Sequence, residues 1–86
     1  RIPFGSLVVL GIIKPGTTIF DNKKKISAKI MADGSIKHAQ TEGSIHKVAA
    51  TILGAESCNG WTYWHYNLNG SVVPIDHLRQ RLVNNR

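Results

Sequence analysis

Apolar positions recur along this chain with two different periods. Ile45, Val48, Ala49, Ile52 and Leu53 are spaced three and four apart, so they form one stripe on a helix of about 3.6 residues per turn. Ser44 precedes the stripe where an N-cap hydroxyl accepts from a first-turn N–H, and Gly54 follows where a left-handed residue ends a helix. The spacing predicts a helix of about ten residues. A polar loop over 55–60 closes with Asn59-Gly60, a strong turn signal. From Trp61 the period becomes two, which predicts a strand with Thr62, Trp64, Tyr66 and Leu68 on one face and Trp61, Tyr63 and His65 on the other. Leu68 marks the Trp64 face as core. Trp61, Tyr63 and His65 are then expected as a partly exposed aromatic row.

The rest of the chain reads in shorter pieces. A helix is expected over 3–10, with Pro3 in its first turn, Gly11 stopping it, and Phe4, Leu7 and Val8 on one face. Lys14-Pro15-Gly16 has the residues of a type II turn, and it leads into a β-branched strand over 17–20. Asp21-Asn22 opens a polar turn that carries Lys23, Lys24 and Lys25. Segments 26–31 and 35–39 form a hairpin about Asp33-Gly34. A three-residue loop with Gly34 as a bulge pairs Ile30 with Ile36 and keeps Ile26, Ala28, Ile30 and Ile36 on one face, which a two-residue loop does not. Ser27, Lys29 and Lys37 then face solvent. Residues 40–43 serve as a link. Asn69-Gly70 makes a further turn, 71–73 a short strand, and Pro74 begins a last helix with Ile75, Leu78 and Leu82 inward and Arg79, Arg81 and Arg86 on its surface, fraying over 84–86. The expected fold is α+β: a small antiparallel sheet of about four or five strands with three short helices.

Composition narrows the function classes. The 86 residues suit one domain, and the hydrophobic fraction of 42% argues against disorder. No apolar run approaches the ~18–20 residues of a membrane span. A chain that begins at Arg1 suggests a piece of a longer protein, and the single cysteine, Cys58, makes no internal disulfide, so a soluble intracellular setting is expected. Eleven Lys and Arg against five Asp and Glu give a net charge of +6. That excess favours a polyanionic partner, and equally it can serve solubility.

Enzymatic readings find little support. His38, His46, His65, His77 and Cys58 match no zinc spacing, and the Ser-x-x-Lys of Ser44 to Lys47 lacks its companion motifs. There is no phosphate-cradling glycine loop. Binding readings do better. Ser44 is at least a cap, and a capped helix N-terminus also suits an anion, with His46 and Lys47 beside it. Asn59 shapes a turn or meets a base edge with its paired donor and acceptor. Trp61, with Tyr63 and His65, offers a stacking surface for bases. Lys23, Lys24 and Lys25 form a solvated loop or a phosphate contact, and Arg79 suits a helix C-terminus or a phosphate.

Four runs resemble one family: Arg1-Ile-Pro-Phe-Gly, Gly43-Ser44-Ile45-His46, Ser57-Cys58-Asn59-Gly60-Trp61-Thr62-Tyr63-Trp64-His65, and Val73-Pro74-Ile75-Asp76-His77-Leu78-Arg79. They are similar to the C-terminal domain of the cell-cycle-regulated adenine DNA methyltransferases of alphaproteobacteria, and more broadly to the module associated with restriction and adenine methylases. The resemblance implies a parent enzyme that moves a methyl group from S-adenosylmethionine to adenine in GANTC sites. It also implies action as a homodimer in the bacterial cytoplasm at the nucleoid, with no membrane involved. The family's functional positions fall on Ser44, Asn59 and Trp61. The Asp-Pro-Pro-Tyr motif and the cofactor loop are absent, so the resemblance places chemistry and cofactor in an N-terminal catalytic domain and leaves DNA binding, with no catalysis, to this segment. A protein-interaction module and a reader of modified or single-stranded nucleic acid remain the rivals.

Overall fold

The computed structural model describes residues 2–84, so the roles expected of Arg86 lie outside the described residues. In chain order the elements are α1 (Phe4–Val9), β1 (Thr18–Phe20), β2 (Ser27–Ile30), β3 (Ile36–His38), β4 (Thr41–Gly43), α2 (Ile45–Leu53), α3 (Gly60–Tyr63), β5 (His65–Leu68), β6 (Ser71–Pro74) and α4 (Asp76–Asn84). The six strands form one antiparallel sheet in the order β4-β3-β2-β1-β5-β6. The architecture is α+β as expected, with one helix and at least one strand more than expected.

The turns show why. Gly16, at φ +89, closes the Lys14-Pro15-Gly16 turn, with Thr17 N–H donating to Lys14 O at 3.2 Å. Ile30 pairs with Ile36 across the three-residue loop, and alternation buries Ala28 and Ile30 while Ser27, Lys29 and Lys37 face out. Gly34 at the tip packs on α1, where an added Cβ would lie 2.7 Å from Gly5 Cα. Residues 41–43, read as a link, instead pair with β3 as β4. The tight turn before β4 puts Ala39 at φ +53, and alanine carries no turn signal in sequence. Asn69 and Gly70 both have positive φ, as a type I′ hairpin turn requires. Pro74, expected to start a helix, ends edge strand β6, where a missing N–H is tolerated.

One core joins Phe4 and Leu7 of α1, Ile19, Ala28, Ile30 and Ile36 of the sheet, Ile45, Val48 and Ala49 of α2, both tryptophans, Tyr66, Ile75 and Leu78. Each large apolar side chain buried there contributes about 1.5–3 kcal/mol relative to exposure. The largest correction lies in this core. Residues 61–63, read as the start of an aromatic strand, are a single helical turn, and the strand begins only at His65. Trp61 is 6% exposed and His65 9%, while Tyr63 is half-buried, so the expected exposed aromatic row does not form.

Candidate nucleic-acid interface

Two helix starts meet here, and each is capped by its own side chain. Ser44 Oγ accepts from Lys47 N–H at 3.0 Å, and Gly54, at φ +67, ends α2, as the residue pattern predicts. Asn59 Oδ1 accepts from Trp61 N–H at 3.0 Å, and Asn59 O accepts from Thr62 and Tyr63. The local interaction that makes Asn59 a turn residue thus nucleates α3, and this is the physical reason the strand pattern fails at Trp61.

Three contacts lock α3 against α2. Gly60 N–H donates to His46 Nδ1 at 2.9 Å, and Trp64 Nε1–H donates to Ile45 O at 3.0 Å inside the core. Gly60 itself lies so close that a Cβ there would sit 2.6 Å from the Ile45 carbonyl atoms. Because His46 Nδ1 is an acceptor, its neutral ring carries the proton on Nε2.

Trp61 is the floor rather than a platform. Its ring meets Phe4 edge-on at 5.9 Å, and the Arg79 guanidinium lies over it at 4.7 Å from the centroid. Arg79 Nη2 contacts Asp76 Oδ1 at 2.6 Å as an ion pair, off the line of a well-formed hydrogen bond. The pair holds the guanidinium over the indole, a cation–π arrangement that stabilises by about 0.5–2 kcal/mol.

Around this floor three clefts adjoin. One, of about 370 Å³, is lined by His46, Ser57, Cys58, Asn59, Trp61 and Arg79. A second, of about 280 Å³, runs from Ser44, Ile45 and His46 past Trp61 to the start of α1, and a third, of about 380 Å³, lies along α2 with Ser44, His46 and Lys47. His46 lines all three. Six of the residues singled out from sequence, Ser44, His46, Lys47, Asn59, Trp61 and Arg79, therefore gather here.

The others do not join them. Tyr63, His65 and Lys23 line a separate cleft of about 350 Å³ with Asp21 and Asn22. There His65 Nδ1–H donates to Tyr63 O at 3.0 Å, and burial pushes the Tyr63 phenol pKa up. Lys24 sits over the Phe20 ring at 5.0 Å, and the lysine turn is held by Asp21, whose carboxylate accepts from Lys25 and Ile26 N–H. The Ile26 bond is the main cause that draws the Asp21 pKa below the usual carboxylate value.

Sequence reasoning passed over Gly60 as a contact residue, and Phe4 and Asp76 as supports of the floor. Asn59-Gly60 was the available signal, since it fits a helix cap as well as a turn. Among the described residues no group of His, Cys, Asp and Glu could hold a metal ion, and no helix is long and apolar enough to cross a membrane. The chain contains no Gly-x-Gly, so its residues do not fit the glycine-turn seat of a nucleotide-like cofactor.

A small α+β module with a polar rim over a buried aromatic floor is the class this geometry defines. The chain belongs to the Restriction Enzyme Adenine Methylase Associated family, whose model matches residues 1–86. It is 29% identical over 84 residues to the Type II methyltransferase M.HinfI of Haemophilus influenzae, a match that takes in 98% of this chain. The chain spans 23% of that relative's length.

Proposed function

We propose that this domain is the DNA-contacting module of an adenine-N6 DNA methyltransferase of the GANTC-specific, cell-cycle-regulated kind. In this reading the parent enzyme works as a homodimer in the bacterial cytoplasm at the nucleoid. Its N-terminal catalytic domain binds S-adenosylmethionine and transfers the methyl group. The module holds DNA while the target adenine leaves the stack, a step that costs a few kcal/mol and that contacts to the opened strand offset.

The observation that carries the reading is convergence. Ser44 and His46, Asn59, and Arg79 come from three separate stretches of sequence and meet on one rim, in a chain of net charge +6. Lys47 beside them, and Lys23, Lys24 and Lys25 on the β1–β2 turn, supply further positive charge for phosphates. Trp61 supports the rim from beneath instead of stacking on a base.

The test is a fluorescence-anisotropy titration of the domain with duplex and single-stranded oligonucleotides, with and without GANTC, at two salt concentrations. Binding that weakens with salt, and weakens further on Lys47→Ala or Arg79→Ala, is expected. No binding to any oligonucleotide would remove the reading and leave a protein-contact role.

That second reading has one observation of its own. Val9, Leu10 and Ile12 form an exposed apolar group at the end of α1, which suits contact with the catalytic domain.

A further inference from the structure

The cleft between His46, Asn59 and Arg79 offers hydrogen-bond donors and few free acceptors. His46, Asn59 and the neighbouring Ser44 each have an acceptor engaged within the fold, whereas the exposed Ser57 hydroxyl, which also lines the cleft, can donate as well as accept. His46 Nδ1 takes the Gly60 N–H at 2.9 Å, so the free nitrogen, Nε2, bears hydrogen. Asn59 Oδ1 takes the Trp61 N–H at 3.0 Å, which leaves its NH2 group. At the neighbouring cap, Ser44 Oγ takes the Lys47 N–H at 3.0 Å, which leaves its O–H. Arg79 and Lys47 have no acceptor to offer. No Asp or Glu lines the cleft itself; Glu56 lines the adjoining cleft along α2, and the nearby Asp76 is tied to Arg79.

From this polarity we infer that the cleft is a seat for a phosphodiester group of the bound strand, not a reader of bases. This deepens the DNA-contact reading and rests on it. A phosphodiester presents acceptors only, with negative charge, and so matches His46 Nε2–H, the Asn59 amide and the outer N–H groups of Arg79 at once. The exocyclic amines of adenine and cytosine present donors and find no partner among these groups, and guanine O6 and N7, which do accept, lack the negative charge that Arg79 and Lys47 favour. Stacking is also disfavoured, because one face of Trp61 is covered by Arg79 at 4.7 Å and its ring is met by Phe4 at 5.9 Å. The seat therefore fixes the strand in position without reading its sequence.

Two near-isosteric variants separate polarity from fold. Asn59→Asp keeps the capping oxygen, and Asp caps as well as Asn, but it turns the outward amine into a carboxylate oxygen. His46→Asn places an oxygen where Nδ1 accepts from Gly60 and removes the Nε2 donor. Both variants are expected to keep the thermal midpoint, and each to bind DNA about tenfold more weakly at low salt. In the unaltered protein, one neutral methylphosphonate linkage walked along the oligonucleotide should reproduce that loss at a single position. Combined with either variant it should add nothing further. Imidazole nitrogen NMR of the free protein should show His46 protonated at Nε2.

The proposal is overturned if Asn59→Asp binds as tightly as the unaltered protein. It is equally overturned if base-edge changes such as 7-deazaguanine cost affinity while no methylphosphonate does; DNA contact then stands and the phosphate seat falls. A His46 ring protonated at Nδ1 removes its donor role without reference to DNA. Failure of the unaltered protein to bind any oligonucleotide at either salt concentration overturns the DNA-contact reading and the seat together.

Discussion

Gly60→Ala tests the joint between α2 and α3 more directly than any change at the rim. The added Cβ would lie 2.6 Å from Ile45 C and O and 2.8 Å from Ile45 Cγ1, inside the 3.0 Å that real Cβ contacts respect. Two of those atoms are backbone, so no rotamer change relieves the clash. The helices must separate until a gap of 2.6 Å approaches the 3.4 Å of ordinary contact. That movement stretches the His46–Gly60 bond at 2.9 Å and the Ile45–Trp64 bond at 3.0 Å. Overpacking costs about 1–3 kcal/mol and each hydrogen bond contributes about 1 kcal/mol, so the expected loss is about 3–4 kcal/mol. A domain of this size has roughly 4–13 kcal/mol in all, and the thermal midpoint should fall by roughly 15–25 °C. Urea unfolding followed by tryptophan fluorescence and a circular-dichroism melt would measure it. Gly54→Ala is the control, because that site has open space and only its φ of +67 to resist a side chain, at about 1–2 kcal/mol. If Gly60→Ala proves no more harmful than Gly54→Ala, the two helix starts are not in close contact and the joint described above is wrong.

Trp61→Ala should lower stability by about 3–5 kcal/mol, the cost of truncating a buried tryptophan; a loss below about 1 kcal/mol in a urea titration would contradict its place as the floor. Tyr66→Phe should be neutral or stabilise by about 1 kcal/mol, because the Tyr66 hydroxyl is buried without a hydrogen-bond partner, and a clear loss of stability in the same titration would show that the hydroxyl is satisfied. The Asp21 pKa is lowered in the folded state, first by the Ile26 N–H, so its contribution is present above the unfolded carboxylate pKa and is lost as pH falls through the lower folded value. Asp21→Asn should therefore flatten the acid limb of the stability profile measured by urea unfolding below neutral pH, and an unchanged acid limb would exclude this contribution. Lys24→Ala with Lys25→Ala should leave stability nearly unchanged and reduce the slope of log affinity against log salt by about one unit for each phosphate the lysines had neutralised; an unchanged slope would make the lysine turn a solvated loop.

What could be read from the chain depended on whether its signals were local. The caps of α2, the Pro15-Gly16 turn, the Ile30–Ile36 register and the Asn69-Gly70 hairpin each rest on residues a few positions apart, and each appears as the pattern requires. The element at Trp61 does not, because its alternation spans only a few residues and a four-residue helix is too short to display its own period. Asn59 favours a turn or a cap equally, and the choice is made from outside the segment: His46 takes the Gly60 N–H, Ile45 takes the indole proton of Trp64, and Phe4 and Arg79 enclose Trp61. Strand β4 escaped for a related reason, since Ala39 reaches φ +53 only because flanking strand pairs hold it there. The site residues were visible as residue types, but the chain order does not say that Arg79 lies over Trp61.

Burial of the aromatic row changes how such a module could assist base opening. An exposed tryptophan would act as a stacking surface worth about 1–3 kcal/mol per base, with little dependence on salt. With Trp61 and His65 inside the fold, the module has charge and hydrogen-bond donors to offer instead. On the proposed reading its assistance would come from holding phosphates of a strand already displaced, which is strongly salt-dependent and indifferent to which base is unpaired. The two mechanisms differ in what drives them and not in specificity, because stacking tolerates any base and phosphate contact reads none. On the proposed reading the choice of sequence therefore lies with the catalytic domain, and a phosphate-holding module would lower the cost of opening at whichever site is selected. The rigid joint between α2 and α3 suits the second role, since donors that must meet one phosphate together need fixed mutual positions.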